Sequence, residues 1–327
     1  MSEQTGGALP GHRARRIVIA GASGMIGSVL SERLRASGDE VVRLVRRPVA
    51  AGTGLSQDQA RSQDEVRWDP AAGILDPTAV SGADAVVSFS GAPTSRLPWT
   101  PAYKKVIIES RLDATRTIVD AIRAAERPPS VFVSASAVGF YGDRGNEDLT
   151  ERSPRGSGFL SAVVKAWEEE AARASDVTRV AFVRTGLVVG PTGAMPPLRT
   201  IALAGLAGPI GGGRQWWPWI SLHDEAAAID HIIGTDPGAG GLSGAVNLAG
   251  PTPATEAEFM RTLARRLHRP HGMPVPAFAL RLALQDAAQE LILSSQRMLP
   301  VALADDGFRF RHETVDAAIA AYLGQER

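Results

Sequence analysis

Residues Arg16 to Leu34 read RIVIAGASGMIGSVLSERL, an apolar run that stops at glycines and resumes as an amphipathic helix. β-Branched Ile17, Val18 and Ile19, followed by Ala20, fit a strand buried on both faces, as a parallel sheet requires. Gly21, Gly24 and Gly27 recur at every third residue. Gly21 permits the turn, Gly24 lets the main chain approach an anion, and Gly27 lets the new helix pack closely on the strand. This spacing predicts a dinucleotide pyrophosphate held by Gly21, Ser23, Gly24, Met25, Ile26 and Gly27. Three glycines also suit a plain strand-turn-helix; the strand in front of them favours the nucleotide.

The next strand, Glu40 to Val45, ends where an NAD site usually places an acid, about 20 residues beyond the glycines. Arg46 and Arg47 stand there instead, before Pro48. Two guanidinium groups suit a 2′-phosphate, so NADP is the expected cofactor. A solvated surface arginine pair is the other reading.

The 35 basic and 35 acidic side chains balance among 327 residues, so no global field argues for nucleic acid or for a strongly charged partner. The absence of cysteine excludes disulfides, thiolate catalysis and cysteine-held metals. His, Asp and Glu nowhere take zinc-site spacing, and no metal is expected. No apolar run of about 18 residues indicates a membrane span, and the N-terminal segment has no apolar targeting core. A cytoplasmic protein with a small-molecule substrate is expected, as monomer or homodimer.

The chain alternates strands and helices. Val66 to Asp69 reads as a third strand, with Asp69 either reaching the adenine side of the cofactor or serving as a turn acid. Ala85 to Ser90 is a fourth strand, and small Gly91 and Ala92 after it let the main chain run beside the cofactor. A helix over Tyr103 to Ala125, a fifth strand at Val131 to Ser134, a helix over Leu160 to Arg173 and a strand over Arg179 to Arg184 follow. A helical piece over Met195 to Ala204 precedes GPIGGGRQWWPWI. One helix is expected over Ala277 to Leu293 and a last one over Thr314 to Leu323. The fold class is α/β: a Rossmann-like, doubly wound parallel sheet with a smaller, mostly helical C-terminal substrate lobe. Residues 1–14 are expected to be disordered and 49–64 to form a surface loop. Residues 15–250 form the nucleotide domain, with substrate-lobe segments within 186–220, and 251–327 form the C-terminal lobe, including an extra domain at about 272–320.

These motifs, together with Tyr141-Gly142 after Ser134-Ala135-Ser136 and with Asn247-Leu248-Ala249-Gly250, resemble the extended short-chain dehydrogenase/reductase superfamily, in its sugar-nucleotide epimerase branch. Lys105 with Ser110-Arg111, SASAVGFYG, Trp167-Glu168, GGGRQWWPWI and SQRMLPVALADDGFRF resemble, more narrowly, an epimerase-like family with a small extra C-terminal domain. The resemblance covers nearly the whole chain. It implies a catalytic serine, tyrosine and lysine, the tyrosine exchanging a proton while the nicotinamide exchanges a hydride, with a lysine four residues later that also holds the ribose.

Ser136 matches the serine and Lys165 the lysine, but Ser161 stands four residues before Lys165 where the tyrosine belongs. A serine hydroxyl is too short and too weakly acidic for that role. Tyr141 is then either a substitute proton donor or a packed aromatic with a bonded hydroxyl. Arg111 is a candidate clamp for an anion or cofactor, or a surface ion-pair residue. Arg184, at a strand end, suits structural bonding. His223-Asp224 resembles an acid-base couple, but the family carries its histidine at the position of Ser221, which favours a packing or capping role for His223.

Arg214, Gln215 and Trp216, Trp217 and Trp219 beside three glycines suit an anionic, ring-bearing or phosphorylated substrate, or a loop that packs its indoles on the core. The C-terminal lobe either covers the substrate crevice or offers a partner surface. Two functions follow: an NADP-binding oxidoreductase or epimerase acting on a small hydroxyl, carbonyl or sugar-nucleotide-like substrate with a non-standard proton donor, or a cofactor-binding regulatory or scaffolding protein without hydride transfer.

Overall fold

The computed structural model describes residues 13–48, 65–235, 241–272 and 274–326. The expectations for residues 1–12 and for the loop at 49–64 lie outside these.

Seven strands form one parallel sheet: β1 (Arg16–Ala20), β2 (Glu40–Val45), β3 (Glu65–Arg67), β4 (Ala85–Ser88), β5 (Val131–Ala137), β6 (Arg179–Thr185) and β7 (Gly244–Leu248). Their spatial order is β7-β6-β5-β4-β1-β2-β3, so the order reverses beside β1. Ligands of such sheets lie beyond the carboxyl ends of the strands at that reversal, here where β1 runs into the glycine turn. Ile17, Val18, Ile19 and Ala20 of β1 are all fully buried. Each large aliphatic side chain removed from water in this way contributes about 1.5–3 kcal/mol.

Both faces of the sheet are covered. α1 (Met25–Ala36) packs beside the helix Leu222–Gly234 on one face; α2 (Pro101–Ala124) packs beside α3 (Phe159–Ala172) on the other. Thr100 caps α2, its hydroxyl accepting the Tyr103 amide at 3.1 Å, and Pro101 begins the helix where no amide hydrogen is needed. On α3 the inward positions are Ser161, Val163, Val164, Trp167 and Ala171.

The C-terminal region is stitched into the rest by short pairings. Arg297–Met298 runs beside Asp148–Leu149, and Ala254–Thr255 beside Trp216–Trp217. Leu303 joins the core beneath α1. The single helix expected over 277–293 is broken. An α-helix at Ala277–Leu284 stops at Gln285, whose φ is +53°, and a π-helical turn occupies Gln289–Leu293.

Candidate functional site

A cleft of about 980 Å³ opens over the carboxyl ends of β1, β2 and β4. Its floor is the glycine turn. Gly21 has φ +84°, and a Cβ on Gly27 would lie 2.3 Å from the Gly21 carbonyl oxygen, so only glycine lets α1 start so close to β1. Gly24 is the N-cap of α1 and offers no side chain to the first-turn amides, which leaves that end of the helix able to accept an anion. Ser23, Met25 and Ile26 also line the cleft, as do Gly91 and Ala92 from the β4 loop. Ser110 supports that loop: its hydroxyl accepts the Ala92 amide at 2.9 Å.

Arg46 and Arg47 line the far end, with Arg43, Glu65 and Trp68. Glu65 bridges two of the guanidiniums, at 2.8 Å from Arg43 and 2.5 Å from Arg47. These residues fit two parts of a dinucleotide: a glycine cradle for its central pyrophosphate and a cationic pocket for its adenosine ribose. Asp69 is not in this lining. Its carboxylate accepts the Ala72 amide at 3.2 Å in the turn that pairs Asp69 with Ile74, so it is the turn acid and Trp68 takes the place on the cleft wall.

Arg111 lies beneath the β4 loop, donating to the carbonyls of Ala92 at 3.0 Å and Ile107 at 2.9 Å. Its guanidinium rests 5.1 Å from the centre of the Trp167 ring. Burial pushes its pKa down to about 10, opposed only by Tyr103, and no carboxylate among the described residues pairs with it. Arg111 therefore remains a cation at neutral pH and holds the main chain on which the cleft wall depends.

The expected catalytic groups Ser136, Tyr141 and Lys165 and the expected clamp Arg111 do not meet at one point: Ser136 and Tyr141 join a single buried network, while Lys165 and Arg111 bond elsewhere. Lys165 is half-exposed and pairs with Glu169 on the outer side of α3, away from the cleft lining. The i,i+4 spacing from Ser161 does not bring it inward, because the buried stripe continues through Val164 and Trp167. Ser161 is fully buried, with its hydroxyl within 3.0 Å of the Phe140 carbonyl and 2.9 Å of the Gly156 carbonyl.

Ser136 donates to Glu168 at 2.6 Å, and Glu168 receives Arg184 through two parallel bonds of 2.8 and 2.9 Å. Arg184 also donates to the Tyr141 hydroxyl at 2.9 Å, and that hydroxyl lies 2.7 Å from Asn247 Oδ1 and 3.0 Å from the Thr150 carbonyl. Tyr141 has no exposed surface. Burial raises its pKa, against the Arg184 charge and bond that lower it. A phenol so enclosed is a packing group with a bonded hydroxyl, and the proton-donor role fails on access. Arg184 keeps its charge despite burial because Glu168 and Tyr141 bond it. Glu168 is the residue that reading the sequence assigned no role, although Trp167-Glu168 was among the motifs.

His223 is half-exposed beside Asp224, while the cap of the helix Leu222–Gly234 is Ser221, whose hydroxyl accepts the Asp224 amide at 3.0 Å. His312 arrives from far along the chain, 2.8 Å from the Ser221 hydroxyl and 2.6 Å from Glu326. His223, Asp224 and His312 place ligand-type atoms within 4.8 Å of one another, a grouping the linear spacing does not reveal. Asp224 already accepts the amides of Arg311 and His312. In the 208–219 loop the indoles are anchors: Trp216, Trp217 and Trp219 donate to Asn146, Ile292 and Thr252, each at 3.0 Å. Gln215 likewise bonds the Ile210 carbonyl at 3.0 Å, which leaves exposed Arg214 as the polar group of that loop turned to solvent.

The fold and cleft are those of a Rossmann-type nucleotide-binding protein. The chain belongs to the NAD dependent epimerase/dehydratase family, whose family model matches residues 17–271, and a domain of unknown function, DUF1731, matches residues 275–322. Epimerase family protein Mb2239 of Mycobacterium bovis is 36% identical over 305 residues, 93% of this chain and 96% of that protein. The human epimerase family protein SDR39U1 is 31% identical over 310 residues, 93% of this chain and 98% of that protein. A crystal structure of human SDR39U1 (isoform 2) with NADPH superposes with a TM-score of 0.82 at 29% identity, covering 95% of this chain and all of that one. A nucleoside-diphosphate sugar epimerase from Corynebacterium glutamicum superposes with a TM-score of 0.76 at 30% identity, covering 96% of this chain and 59% of that one. No helix among the described residues is long and apolar enough to cross a membrane.

Proposed function

We propose that the protein is an NADP-dependent, epimerase-like oxidoreductase acting on a hydroxyl- or carbonyl-bearing substrate of the nucleoside-diphosphate-sugar kind. The observation that carries this reading is the cleft itself, a glycine cradle at the start of α1 with Arg46 and Arg47 at its adenosine end. The NADPH-bound human relative and the sugar epimerase named above support the same cofactor and substrate class. A bound nicotinamide supplies hydride exchange. The chain's own residues supply binding through Gly21 to Gly27, charge neutralisation through Arg46 and Arg47, and a loop held in place by Ser110 and Arg111. The proton is exchanged by a group other than a tyrosine on α3.

A second reading, a nucleotide-binding protein without turnover, is favoured by one observation. Ser136 and Tyr141 are consumed by the Glu168-Arg184 network and Lys165 by Glu169, so the usual proton-transfer groups are all bonded elsewhere. Titration with NADPH, followed by a panel of nucleoside-diphosphate sugars monitored through nicotinamide absorbance and product analysis, separates the two. Binding with conversion of at least one sugar supports the enzyme; binding with none across the panel supports the second reading; no binding overturns both.

A further inference from the structure

The acid that the end of β2 lacks is present in space. β3 lies beside β2 with Arg43 opposite Glu65, so the first residue of β3 faces the pocket that Arg46 and Arg47 enter. Glu65 is largely buried between its partners, one oxygen 2.8 Å from Arg43 and the other 2.5 Å from Arg47. A carboxylate has about four lone-pair sites, and two guanidinium bonds leave acceptor capacity free. Arg46 is exposed and has no carboxylate partner among the described residues.

We infer that Glu65 makes the adenosine pocket bispecific: it is the acceptor for the ribose 2′-hydroxyl of NAD, and it releases Arg47 to a 2′-phosphate when NADP binds. This rests on the nucleotide-binding reading of the cleft. Arg43, Arg46, Arg47 and Glu65 together carry two net positive charges, which match a phosphate dianion, so NADP is the tighter ligand. The carboxylate limits that preference in two ways. It repels the phosphate and competes with it for Arg47, and it offers NAD a charge-assisted bond that an all-arginine pocket lacks.

The test is calorimetric binding of NADP and NAD, with 2′,5′-ADP and 5′-ADP as probes of the adenosine end alone, to the full chain and to Glu65→Gln. The amide keeps the shape and removes the charge. NADP and 2′,5′-ADP should bind tighter and NAD and 5′-ADP weaker. The ratio of their dissociation constants should then change by about tenfold or more, the worth of one charge-assisted hydrogen bond. A ratio unchanged within about twofold overturns the inference and makes Glu65 only a brace between two arginines. Should Glu65→Gln not fold, Arg47→Gln asks the same question from the other side. It should weaken NADP while leaving NAD equal or tighter, and equal losses of both nucleotides overturn the proposal. Failure of the unaltered protein to bind any of the four overturns the nucleotide-binding reading itself.

Discussion

Glu290 reaches back to the start of α3 and accepts the Phe159 amide at 2.7 Å, with its second oxygen 3.2 Å from the Leu160 amide. Gly158, just before the helix, has φ +112°, and a Cβ there would meet this carboxylate at 2.5 Å. The N-terminus of α3 is therefore capped by an acid 131 residues away along the chain. A negative group at that end satisfies two orphan amides and complements the helix dipole. Glu290→Ala should lower stability by about 1–2 kcal/mol, and Glu290→Gln by less, measured by urea denaturation.

Arg184 and Glu168 form a buried, doubly bonded pair with exposures of only 5% and 11%. Arg184→Met would leave that carboxylate uncompensated, and the loss should reach about 3–5 kcal/mol. Tyr141→Phe removes a hydroxyl with three partners and should cost about 1–3 kcal/mol. In both cases circular dichroism of thermal unfolding reads the effect. If a converted substrate is found, the Tyr141→Phe protein should retain turnover per folded molecule, because that ring has no exposed surface.

Glu225 is fully buried with one oxygen 2.7 Å from the Thr185 hydroxyl and the other without a hydrogen-bond partner among the described residues. Burial pushes its pKa up to about 8 from an ordinary value of 4.5, against the lowering effect of the Thr185 bond. Between these values the folded protein holds a proton that the unfolded chain has lost. The contribution to stability is therefore full below pH 4.5, falls as pH rises, and is gone above about 8. The slope is at most about 1.4 kcal/mol per pH unit. Glu256, pushed up to about 7 by burial, adds to the same trend over the lower part of the window. Glu225→Gln should flatten the profile and make the variant the more stable protein at alkaline pH; parallel slopes would refute this.

Gly27→Ala tests the cradle. Its methyl would sit 2.3 Å from the Gly21 carbonyl oxygen and 2.8 Å from Ala22 Cα, both backbone atoms that cannot yield cheaply. Overpacking of this kind costs about 1–3 kcal/mol. Nucleotide binding should fall below detection while far-ultraviolet dichroism still shows a folded protein.

Much of this fold is legible in the chain because its signals are local. Ile17 to Ala20 are buried for the reason their β-branching announces, Gly21 takes its positive φ, and Thr100-Pro101 marks the start of α2 within two residues of the predicted helix. The cleft at Gly21 to Gly27 with Arg46 and Arg47 follows from the same short-range patterns. The catalytic expectations depend instead on which way side chains turn. Lys165 and Val164 are neighbours in sequence, yet one is solvated and the other buried, and packing of α3 against α2 and β5 decides between them. The positions of Glu65 and His312 are invisible in the linear sequence because strand register brings Glu65 beside Arg43 and a 91-residue return of the chain brings His312 to Ser221. The helix over 277–293 failed at Gln285, where nothing in the apolar spacing marks the break.

The pairing of Arg297–Met298 with Asp148–Leu149 has a consequence for how such proteins can be built or lost piecewise. Asn247 Nδ2 lies 2.9 Å from the Leu299 carbonyl and 3.2 Å from the Leu149 carbonyl, while Leu149 and Met298 share one small core with Tyr141. A chain ending at residue 271 would strip that core open and leave amides and carbonyls unpaired at the edge of the cleft-bearing half. The segment from Arg297 to Leu299 is therefore no part of a detachable cassette: it completes a core that begins at Tyr141 and Leu149, and a truncation or fusion has to carry it along.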